Sequence, residues 1–503
     1  MSAAITADGT KGWAIPEGWD VVIGVEIHVQ LSTRTKMFCG CELSFGDEPN
    51  THICPLCLGH PGTLPVANEK AVEYATRIAL ALNCRIAEHT IFHRKNYFYP
   101  DLPKGYQISQ YDLPLGLAGH LDVALEDGSV HRVGITRVHM EDDAAKLVHA
   151  GGTTGRIDAS DHSMVDFNRG GTPLVEIVSE PDLRTPEQTR AFLTQLKSLL
   201  ESLGVSDVNM EEGSLRCDAN ISLRRPGEAF GTKTELKNMN SFRFLQRGLE
   251  AEIERQARDL DAGGRIVQET VHFDPATGRV SSLRSKEEAH DYRYFPEPDL
   301  VPIELDAAYV ERVRASLPEL PAARKERFAS AYGLATYDAG VLSANRALGD
   351  YFEKVAAVTG DAKASANWVM GDLSGYLNAA GLDIGQSAVG PEALAGLLEL
   401  LKDGTLSSKM AKDVFAVMVE TGKDAPALVD ELGLGQISDV GALESVVARV
   451  VAANAAQAEE FRQGRDRVLG FFVGQVMKET KGQANPQLVN ELLRRHLTGR
   501  LRP

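Results

Sequence analysis

The sequence predicts an α+β protein, with an antiparallel sheet in its first part and helices in the remainder. Up to about residue 305 the chain is rich in β-branched and aromatic residues, is punctuated by Gly and Pro, and holds all six cysteines. Beyond that point Ala, Leu, Glu and Arg recur at helical spacing. At roughly 100–200 residues per domain, a chain of 503 residues indicates about three domains.

Three segments of the first part alternate between apolar and polar residues, as half-buried strands do. They are residues 21–31, 214–224 and 233–237. The polar face of the first segment consists of Glu26, His28 and Gln30. Strands with one polar face are typical of antiparallel sheets. Because this face carries His, Asn, Arg and Asp as well as Lys and Glu, the pattern favours a functional surface over simple solvation.

Two helices of the first part have recognisable starts. Thr185, Pro186 and Gln188 form a capping box with proline at the first helical position. The apolar stripe of the helix that follows consists of Phe192, Leu193, Leu196, Leu199, Leu200 and Leu203. Ser241 is expected to cap a second helix, from Phe242 to about Leu260.

Charge and hydropathy limit the class of protein. The net charge of -17 and the pI near 5.3 argue against a generic nucleic-acid binder, because phosphates are contacted by Lys and Arg. A local basic surface is nevertheless compatible with a negative net charge. The N-terminus has no apolar signal region, and no run approaches the roughly 18 apolar residues of a membrane span. We therefore expect a cytoplasmic protein with reduced thiols and no membrane partner.

Four cysteines predict a structural zinc site. Cys39-x-Cys41 is followed, after twelve residues, by Cys54-x-x-Cys57, and Pro55 and Gly59 give the second pair the tight turn of a zinc knuckle. Two such pairs form a closed tetrahedral Cys₄ site. The alternative, two disulfides, is disfavoured in a reducing compartment.

Several segments offer ligands for a hard cation such as Mg²⁺. They are Glu26-x-His28, His139-x-Glu141-Asp142-Asp143, Glu176 within an apolar strand, and Glu211-Glu212. Glu176 is notable because a lone carboxylate in an apolar strand rarely stays buried without a partner. Each segment alone also suits a salt bridge or a capped turn, whereas together they make a metal-phosphate site plausible.

Nucleotide use, if present, requires an architecture other than a P-loop, because no GxxxxGK[ST] pattern occurs. Arg216, Lys233 and Lys237 lie on polar strand faces and are the candidates for phosphate contacts. The Ser-Ser-Lys sequence at 407–409 lacks the Gly-rich surroundings of an amidase nucleophile. We interpret it as the start of a helix.

Longer motifs carry a family resemblance. The chain resembles the GatB subunit of the GatCAB amidotransferase family along essentially its whole length. The matching segments are residues 22–31, 54–59, 97–107, 166–173, 210–220, 237–242, 290–298 and, in a YqeY-like tail, 472–478. These long and rare strings follow the order of the family.

The resemblance implies three domains: a catalytic cradle with the zinc knuckle at residues 1–310, a helical domain at 311–430, and a YqeY-like tRNA-binding tail at 431–503. From residue 441 onward the tail carries ten Lys and Arg against six Asp and Glu, which makes it locally basic. Its apolar helical stripes, around Val447 and Phe472, are expected to form a small core of their own.

The resemblance also implies a chemistry. The side-chain carboxylate of Glu-tRNA(Gln) or Asp-tRNA(Asn) is phosphorylated from ATP with Mg²⁺, and ammonia then displaces the phosphate. The amidase subunit, GatA, supplies ammonia from glutamine, and the small GatC subunit joins the two large ones. The family match makes Glu26, His28, Glu141 and Glu176 both the catalytic and the magnesium-binding candidates, with Asp142 adjacent. Here the chain departs from the usual Glu-Glu-Asp-Ala-Gly-Lys, because Asp142 replaces the longer glutamate.

Two other functions compete with this one. The first is a zinc-containing tRNA-binding scaffold without chemistry at Glu26 and His28. The second is a freestanding metal-dependent hydrolase that uses His28, His139 and the carboxylates. ATP consumption that depends on mischarged tRNA separates both from the amidotransferase. The sequence leaves the choice between the two tRNA substrates open.

Overall fold

The structure is a computed structural model that describes residues 13–150, 160–237, 239–285, 292–433, 440–480 and 484–498. The chain divides into two compact units, Met1–Leu320 and Pro321–Pro503. The first unit is mixed α+β with a large sheet, and the second is helical. The expected domain boundaries after residues 310 and 430 stay predictions.

The first unit is built on strands that are numbered in chain order. They are β1 (Asp20–Gln30), β2 (Arg85–Ile86), β3 (His89–Thr90), β4 (His93–Asn96), β5 (Tyr106–Ser109), β6 (Gly116–Ala124), β7 (Val130–Asp142), β8 (Lys146–Ala150), β9 (His162–Asp166), β10 (Pro173–Ser179), β11 (Leu215–Arg224), β12 (Thr234–Leu236), β13 (Glu269–Asp274), β14 (Arg279–Ser285), β15 (Phe295–Pro296) and β16 (Ile303–Glu304). Within the described residues, twelve of them form one sheet, with the main order β14-β13-β12-β11-β1-β10-β7-β5-β4-β15. Strand β6 pairs with both β7 and β2.

The strands predicted from alternation are confirmed at the centre of this sheet. β1 and β11 occupy almost the expected segments and pair antiparallel over ten residues, from Asp20 opposite Arg224 to Val29 opposite Leu215. The third segment forms the short β12. Antiparallel pairing holds for most of the sheet, but β12 and β13 run parallel because helix α3 connects them.

Helices of the first unit cover one face of the sheet. They are α1 (Glu69–Ala81), α2 (Pro186–Leu203) and α3 (Phe242–Asp261), and α4 (Ala307–Ala315) packs against α1. The stripe predicted for α2 is buried, and the Thr185 side chain accepts a hydrogen bond from the Gln188 amide, as a capping residue does. Ser241 stands at the start of α3 but makes no side-chain cap bond. Because the apolar residues of β1 and β11 pack under these helices, their polar residues occupy the opposite, open face.

The second unit has two hydrophobic clusters and is built from the helices that follow. They are α5 (Pro321–Tyr332), α6 (Thr336–Ala344), α7 (Arg346–Thr359), α8 (Ala362–Trp368), α9 (Ser374–Ala380), α10 (Pro391–Lys402), α11 (Ser408–Thr421), α12 (Ala425–Leu432), α13 (Val440–Ala453), α14 (Ala455–Arg462), α15 (Val468–Glu479) and α16 (Pro486–Thr498). A π-helical turn, Val369–Leu373, joins α8 to α9. One cluster belongs to α5–α12 and the other to α13–α16, so the small core expected in the tail is confirmed.

Ser407 is the N-cap of α11, which confirms the helix start predicted at this Ser-Ser-Lys sequence. In the part of the chain that the structure describes, none of the helices combines the length and apolar character needed to cross a bilayer.

Candidate active site

A row of four side chains crosses the centre of the sheet on its open face. Arg216 of β11 lies opposite His28 of β1, His28 lies opposite Glu176 of β10, and Glu176 lies opposite His139 of β7. Directly opposed residues on neighbouring strands share a face and have Cβ atoms about 5 Å apart. The strand pairing therefore brings together residues from four distant parts of the sequence.

Three members of the row, His28, Glu176 and His139, form one polar contact network with Glu141, which follows His139 by two residues on β7. His28 Nε2 lies 3.4 Å from Glu176 Oε2, and His139 Nε2 lies 3.7 Å from that oxygen and 3.3 Å from Glu141 Oε1. From β5, Ser109 Oγ and Gln107 Nε2 donate to Glu141 at 2.8 and 2.9 Å. One ligand atom each from His28, Glu141 and Glu176 lies within 4.8 Å of the others.

Two opposing effects determine whether the side chains of this cluster are ionised. Burial favours their neutral forms, and neighbouring groups of opposite charge favour the ionised forms. Burial tends to raise the pKa of Glu176, but its hydrogen bond to His28 and the nearby His139 and Arg137 lower it. Burial also tends to raise the pKa of Glu141, but the hydrogen bond to His139 and the nearby charges of His139 and Lys95 together lower it. For His28, burial works against protonation, whereas the two carboxylates raise its pKa above the ordinary value. Both carboxylates are therefore ionised near neutral pH.

The residues of this cluster fit a divalent cation. Glu141 and Glu176 are only 3% and 8% exposed, and two buried ionised carboxylates that face one point need a positive partner. His139 adds a buried Nδ1 without a hydrogen-bond partner among the described residues. Two carboxylate oxygens and an imidazole are ligands that Mg²⁺ and similar ions accept.

The four predicted zinc ligands also come together, in the loop after β1. A sulfur atom from each of Cys39, Cys41, Cys54 and Cys57 lies within 4.8 Å of the other three. The Cys54 amide donates to Cys57 Sγ at 3.1 Å, which is the turn expected of a knuckle. A hydrogen bond from Cys39 lowers the pKa of Cys57 to about 4, so a thiolate is already favoured here. The cluster is consistent with a structural zinc site.

Comparison with known proteins gives matches over most of the chain. A family model described as the GatB/GatE catalytic domain matches residues 21–311, and one described as the GatB domain matches residues 350–497. The chain belongs to the GatB family. A relative from Carboxydothermus hydrogenoformans, named as the B subunit of an aspartyl/glutamyl-tRNA(Asn/Gln) amidotransferase, is 56% identical over 95% of this chain and 98% of its own length. Relatives of the same name from Moorella thermoacetica and Geobacter sulfurreducens are 56% and 55% identical and match over their whole length.

Glu26 lies apart from the carboxylate cluster of this GatB-family chain. It follows the same face of β1, two residues before His28, and its carboxylate accepts a hydrogen bond from Asn220 Nδ2 at 3.4 Å. It lines a neighbouring cleft of about 280 Å³ on the open face. Glu26 is therefore placed beside the cluster and not within it.

Asp142 also lies outside the cluster, and the cause is strand alternation. Because it follows Glu141 directly on β7, its side chain turns away from that of Glu141. Its carboxylate contacts Lys104 Nζ and accepts a hydrogen bond from the Ile108 amide at 2.7 Å. Asp143 reaches the open face instead, where it contacts Gln30 Nε2 at 2.8 Å and Arg216 at 3.0 Å. The family match singled out Asp142 and not this neighbour.

The three predicted phosphate contacts flank the acidic cluster on the β11 side. Arg216 is part of the row, and Lys237 lies 2.9 Å from Asp218 and 3.0 Å from Glu235. Burial tends to lower the pKa of Lys237, but these two carboxylates raise it, so the side chain stays charged. Lys233 lines the cleft beside Glu26 and has no ion-pair partner within the described ranges.

An aromatic and cationic layer that sequence reasoning missed lies over the cluster. Tyr111 stacks on Tyr294 at 5.2 Å and meets the His139 ring edge-on at 6.4 Å. The Arg137 guanidinium lies over Tyr111, and its NH2 group lies 3.4 Å from Glu176. The spacing of Arg137, His139 and Glu141 along β7 is the signal that could have identified Arg137. Of the family motifs, residues 238, 290 and 291 fall outside the described ranges.

Proposed function

We propose that this chain is the tRNA-binding, carboxylate-activating subunit of a tRNA-dependent amidotransferase, a ligase with glutamine as amido donor. It phosphorylates the side-chain carboxylate of Glu-tRNA(Gln) or Asp-tRNA(Asn) from ATP, with ADP leaving. Ammonia then replaces the phosphate to give Gln-tRNA(Gln) or Asn-tRNA(Asn). The observation that carries this proposal is the cluster of His28, Glu141 and Glu176 beside three cations, in a chain of the GatB family.

Each group of the site has a role in this proposal. His28, Glu141 and Glu176 would hold Mg²⁺, and Glu26 lies beside them on the same face of β1. A Mg²⁺ ion held there would neutralise charge on the transferring phosphoryl group. Arg216, Lys237 and Lys233 bind phosphate oxygens, because cations positioned on a rigid sheet stabilise charge that develops on transfer.

Other side chains position these groups. His139 and Arg137 contact Glu176 from β7 and hold its carboxylate toward His28. Tyr111 and Tyr294 stack beside them and restrict water at the cluster. An acyl phosphate must meet ammonia before it meets water, so this restriction favours amidation over hydrolysis.

The proposal includes partners. The relatives bear the name of one subunit of a larger enzyme, and the Ser-Ser-Lys sequence of this chain serves as a helix cap. We therefore assign ammonia production to the amidase subunit GatA, with the small subunit GatC completing a heterotrimer in the cytoplasm. Mischarged tRNA(Gln) or tRNA(Asn) is the macromolecular substrate, and the synthetases of the cell decide which of them is used.

The test is reconstitution with both partner subunits. The assembled complex is supplied with glutamine, ATP, Mg²⁺ and either Glu-tRNA(Gln) or Asp-tRNA(Asn), and amidated aminoacyl-tRNA and ADP are measured. We expect ADP formation only in the presence of a mischarged tRNA. A complex that binds tRNA without consuming ATP would indicate a scaffold, and substrate hydrolysis without ATP would indicate a hydrolase. Either result contradicts the proposal.

A further inference from the structure

We propose that Asn168 is a positioning residue for phosphoryl transfer, because it binds the loop between β9 and β10 to the four-cysteine loop and thereby fixes the place of Asp143 and Arg216. The β9–β10 loop comprises residues 167–172, and the four-cysteine loop comprises residues 31–68, between β1 and α1. This inference rests on the proposed function and adds to it a role for the family motif at residues 166–173.

Two asparagine side chains join these loops. Asn168 Oδ1 accepts a hydrogen bond from the His52 amide at 2.9 Å, and Asn168 Nδ2 donates to the Glu48 carbonyl at 2.7 Å. From the opposite side, Asn50 Oδ1 accepts from the Phe167 amide at 2.8 Å. An amide side chain suits this task because it accepts and donates at once, so each asparagine satisfies backbone groups on the facing segment. We call the hydrogen bonds of Asn50 and Asn168 the loop joint.

The backbone at Asn50 favours the same residue type. Its φ is 63°, in the left-handed region where asparagine is enriched several-fold over most other residues. Asn50 Nδ2 also donates to the Val165 carbonyl at 3.0 Å, and the Asn50 amide donates to Asp166 Oδ1 at 3.1 Å. The joint therefore holds the end of β9 as well as the loop that follows it.

The β9–β10 loop determines where Asp143 lies. Strand β7 ends one residue before Asp143, which is therefore outside the ladder that β7 forms with β10. The Asp143 amide donates instead to the Thr172 carbonyl at 2.9 Å, and the Gly171 amide donates to the Asp143 carbonyl at 2.8 Å. The Gly171 carbonyl in turn accepts from the Met37 amide of the four-cysteine loop at 2.7 Å. A single residue thus connects the four-cysteine loop to Asp143.

Arg169, the residue after Asn168, adds a second contact on the side of Asp143. Its guanidinium donates to the Ala144 and Ala145 carbonyls, at 3.0 and 2.9 Å. It also lies 3.7 Å from the Asp143 carboxylate. Two consecutive residues of the β9–β10 loop therefore bind in opposite directions, Asn168 to the four-cysteine loop and Arg169 to the segment that carries Asp143.

Asp143 links this loop to the acidic cluster. Its carboxylate is buried and lies 3.0 Å from Arg216 and 2.8 Å from Gln30 Nε2. The Arg216 side chain is 40% exposed, and Asp143 is the ion-pair partner that the described residues give it. A long side chain that is partly in solvent has many rotamers, so a fixed carboxylate is needed to hold this guanidinium beside His28. A loosened β9–β10 loop would displace Asp143 and with it the phosphate-binding cation.

Variants of the assembled complex test this inference. Asn168→Ala removes two bonds of the joint, and Asn50→Gly removes the two side-chain bonds on the other side while keeping a residue that tolerates positive φ. The matched control is Gln195→Ala in the same unit. Half-buried Gln195 makes the same kind of pair, because it accepts from the Ala124 amide at 3.0 Å and donates to the Ala124 carbonyl at 2.8 Å. Arg216→Met is the reference for loss of the cation.

Calorimetry with inorganic tripolyphosphate in Mg²⁺ measures the effect on the cation directly. We expect Arg216→Met to raise the Kd about tenfold, as the loss of one charge-assisted hydrogen bond does. Asn168→Ala and Asn50→Gly should each raise it on the order of threefold, because the guanidinium is displaced and not removed. Gln195→Ala should match wild type. The kcat for amidation should fall in the same order.

The double variant of Asn168→Ala and Arg216→Met decides whether Asn168 acts through Arg216. If it does, the double variant binds tripolyphosphate and amidates as Arg216→Met alone does, because the group that the joint positions is already gone. Additive losses in the double variant overturn the inference. So does binding and turnover in Asn168→Ala and Asn50→Gly that equals the control. Because the two single variants open the joint from different sides, either one is sufficient for the test.

Three outcomes separate this inference from the proposed function. A wild-type complex that forms no ADP with mischarged tRNA contradicts the proposed function, and the inference falls with it. If Arg216→Met binds tripolyphosphate as wild type does, the phosphate contact proposed for Arg216 is wrong, and so is a positioning role that acts through it. Normal amidation by the wild-type complex, combined with joint variants that equal Gln195→Ala, rejects the role of Asn168 alone.

Discussion

Glu176 illustrates how the chemistry of a single residue can indicate a site. It interrupts the apolar sequence Leu-Val-Glu-Ile-Val of β10, where a carboxylate is costly unless something pairs with it. The structure gives it contacts with His28, Arg137 and His139. The apolar residues around it predicted that it needs a partner, whereas the identity of its partners depended on the strand order, which no local pattern contains.

Loss of either cluster ligand tests the proposed phosphoryl transfer. We expect His28→Ala or Glu176→Gln to lower ATP-dependent amidation by a factor on the order of 10³, because each removes part of the cation site. Glutamine hydrolysis by the partner subunit should persist, since that chemistry lies elsewhere. Glu126→Gln, at a side chain that is 94% exposed, is the matched control. Near-normal amidation in a ligand variant would exclude that residue from the site.

A second residue-scale prediction concerns stability and pH. Burial tends to raise the pKa of Asp143, but Arg216 and Arg169 lower it. A lowered folded-state pKa contributes stability above the ordinary Asp value of about 3.9, and this contribution is lost as the pH falls through the lowered value. Arg216→Met should therefore cost on the order of 1–3 kcal/mol near neutral pH. The difference from wild type should shrink below about pH 4.

Urea unfolding of wild type and Arg216→Met between about pH 7 and pH 3 measures this difference. The matched control is Arg132→Met, which breaks an exposed pair with Asp122 and is expected to change stability far less. If the difference in the free energy of unfolding grew as the pH falls, Asp143 would not be the cause of the destabilisation.

Among the elements, the strands and helices with strong local patterns were predictable and their pairing was not. β1, β11 and α2 occupy nearly the expected segments, because alternation and capping are local properties. The parallel contact between β12 and β13 was not expected, since it depends on the crossover through α3. The place of Asp142 was missed for a similar reason: one step along β7 reverses the direction of a side chain, and the family match did not take that into account.

The zinc site predicted at the four-cysteine knuckle can be tested directly by metal analysis. Freshly purified, reduced protein should contain about one zinc per chain, bound by the four-cysteine cluster. Cys54→Ser is expected to lose this zinc and to lower the free energy of unfolding by about 2 kcal/mol or more, because metal binding and folding are linked. Cys84→Ser, at a buried thiol outside the cluster, should retain zinc. Metal analysis without zinc in the wild-type protein would rule out the site.

At the scale of the whole molecule, the net charge is negative, but the tail has more basic than acidic residues. Several arginines between the start of α13 and the end of α16 are paired, as in the contacts of Arg449 with Glu479 and of Arg465 with Glu460. Among the described residues, Arg467, Lys478 and Arg494 have no ion-pair partner, and Lys481, Arg500 and Arg502 lie outside the described ranges. Composition predicted this basic surface, but not which of its charges are available to a phosphate backbone.

Removal of the tail tests its proposed role. A chain that ends after Gly433, near residue 430, keeps the cap of α12 and loses α13–α16 with their separate core. We expect the KM for mischarged tRNA to rise about tenfold or more, with a weaker salt dependence, because phosphate contacts release counterions. Zinc content and glutamine hydrolysis should hardly change. Equal tRNA binding by the truncated and full chains at physiological salt would place recognition in the first unit.

The position of β1 in the sheet has a consequence for biosynthesis. Among the strands that the structure describes, it is the first to be translated, yet its two neighbours, β10 and β11, begin only at residues 173 and 215. At about 5–20 residues per second, a nascent chain waits on the order of ten seconds with both edges of this strand unpaired. The sheet thus pairs strands that are far apart in the sequence, and its central strand can pair only after translation supplies its neighbours.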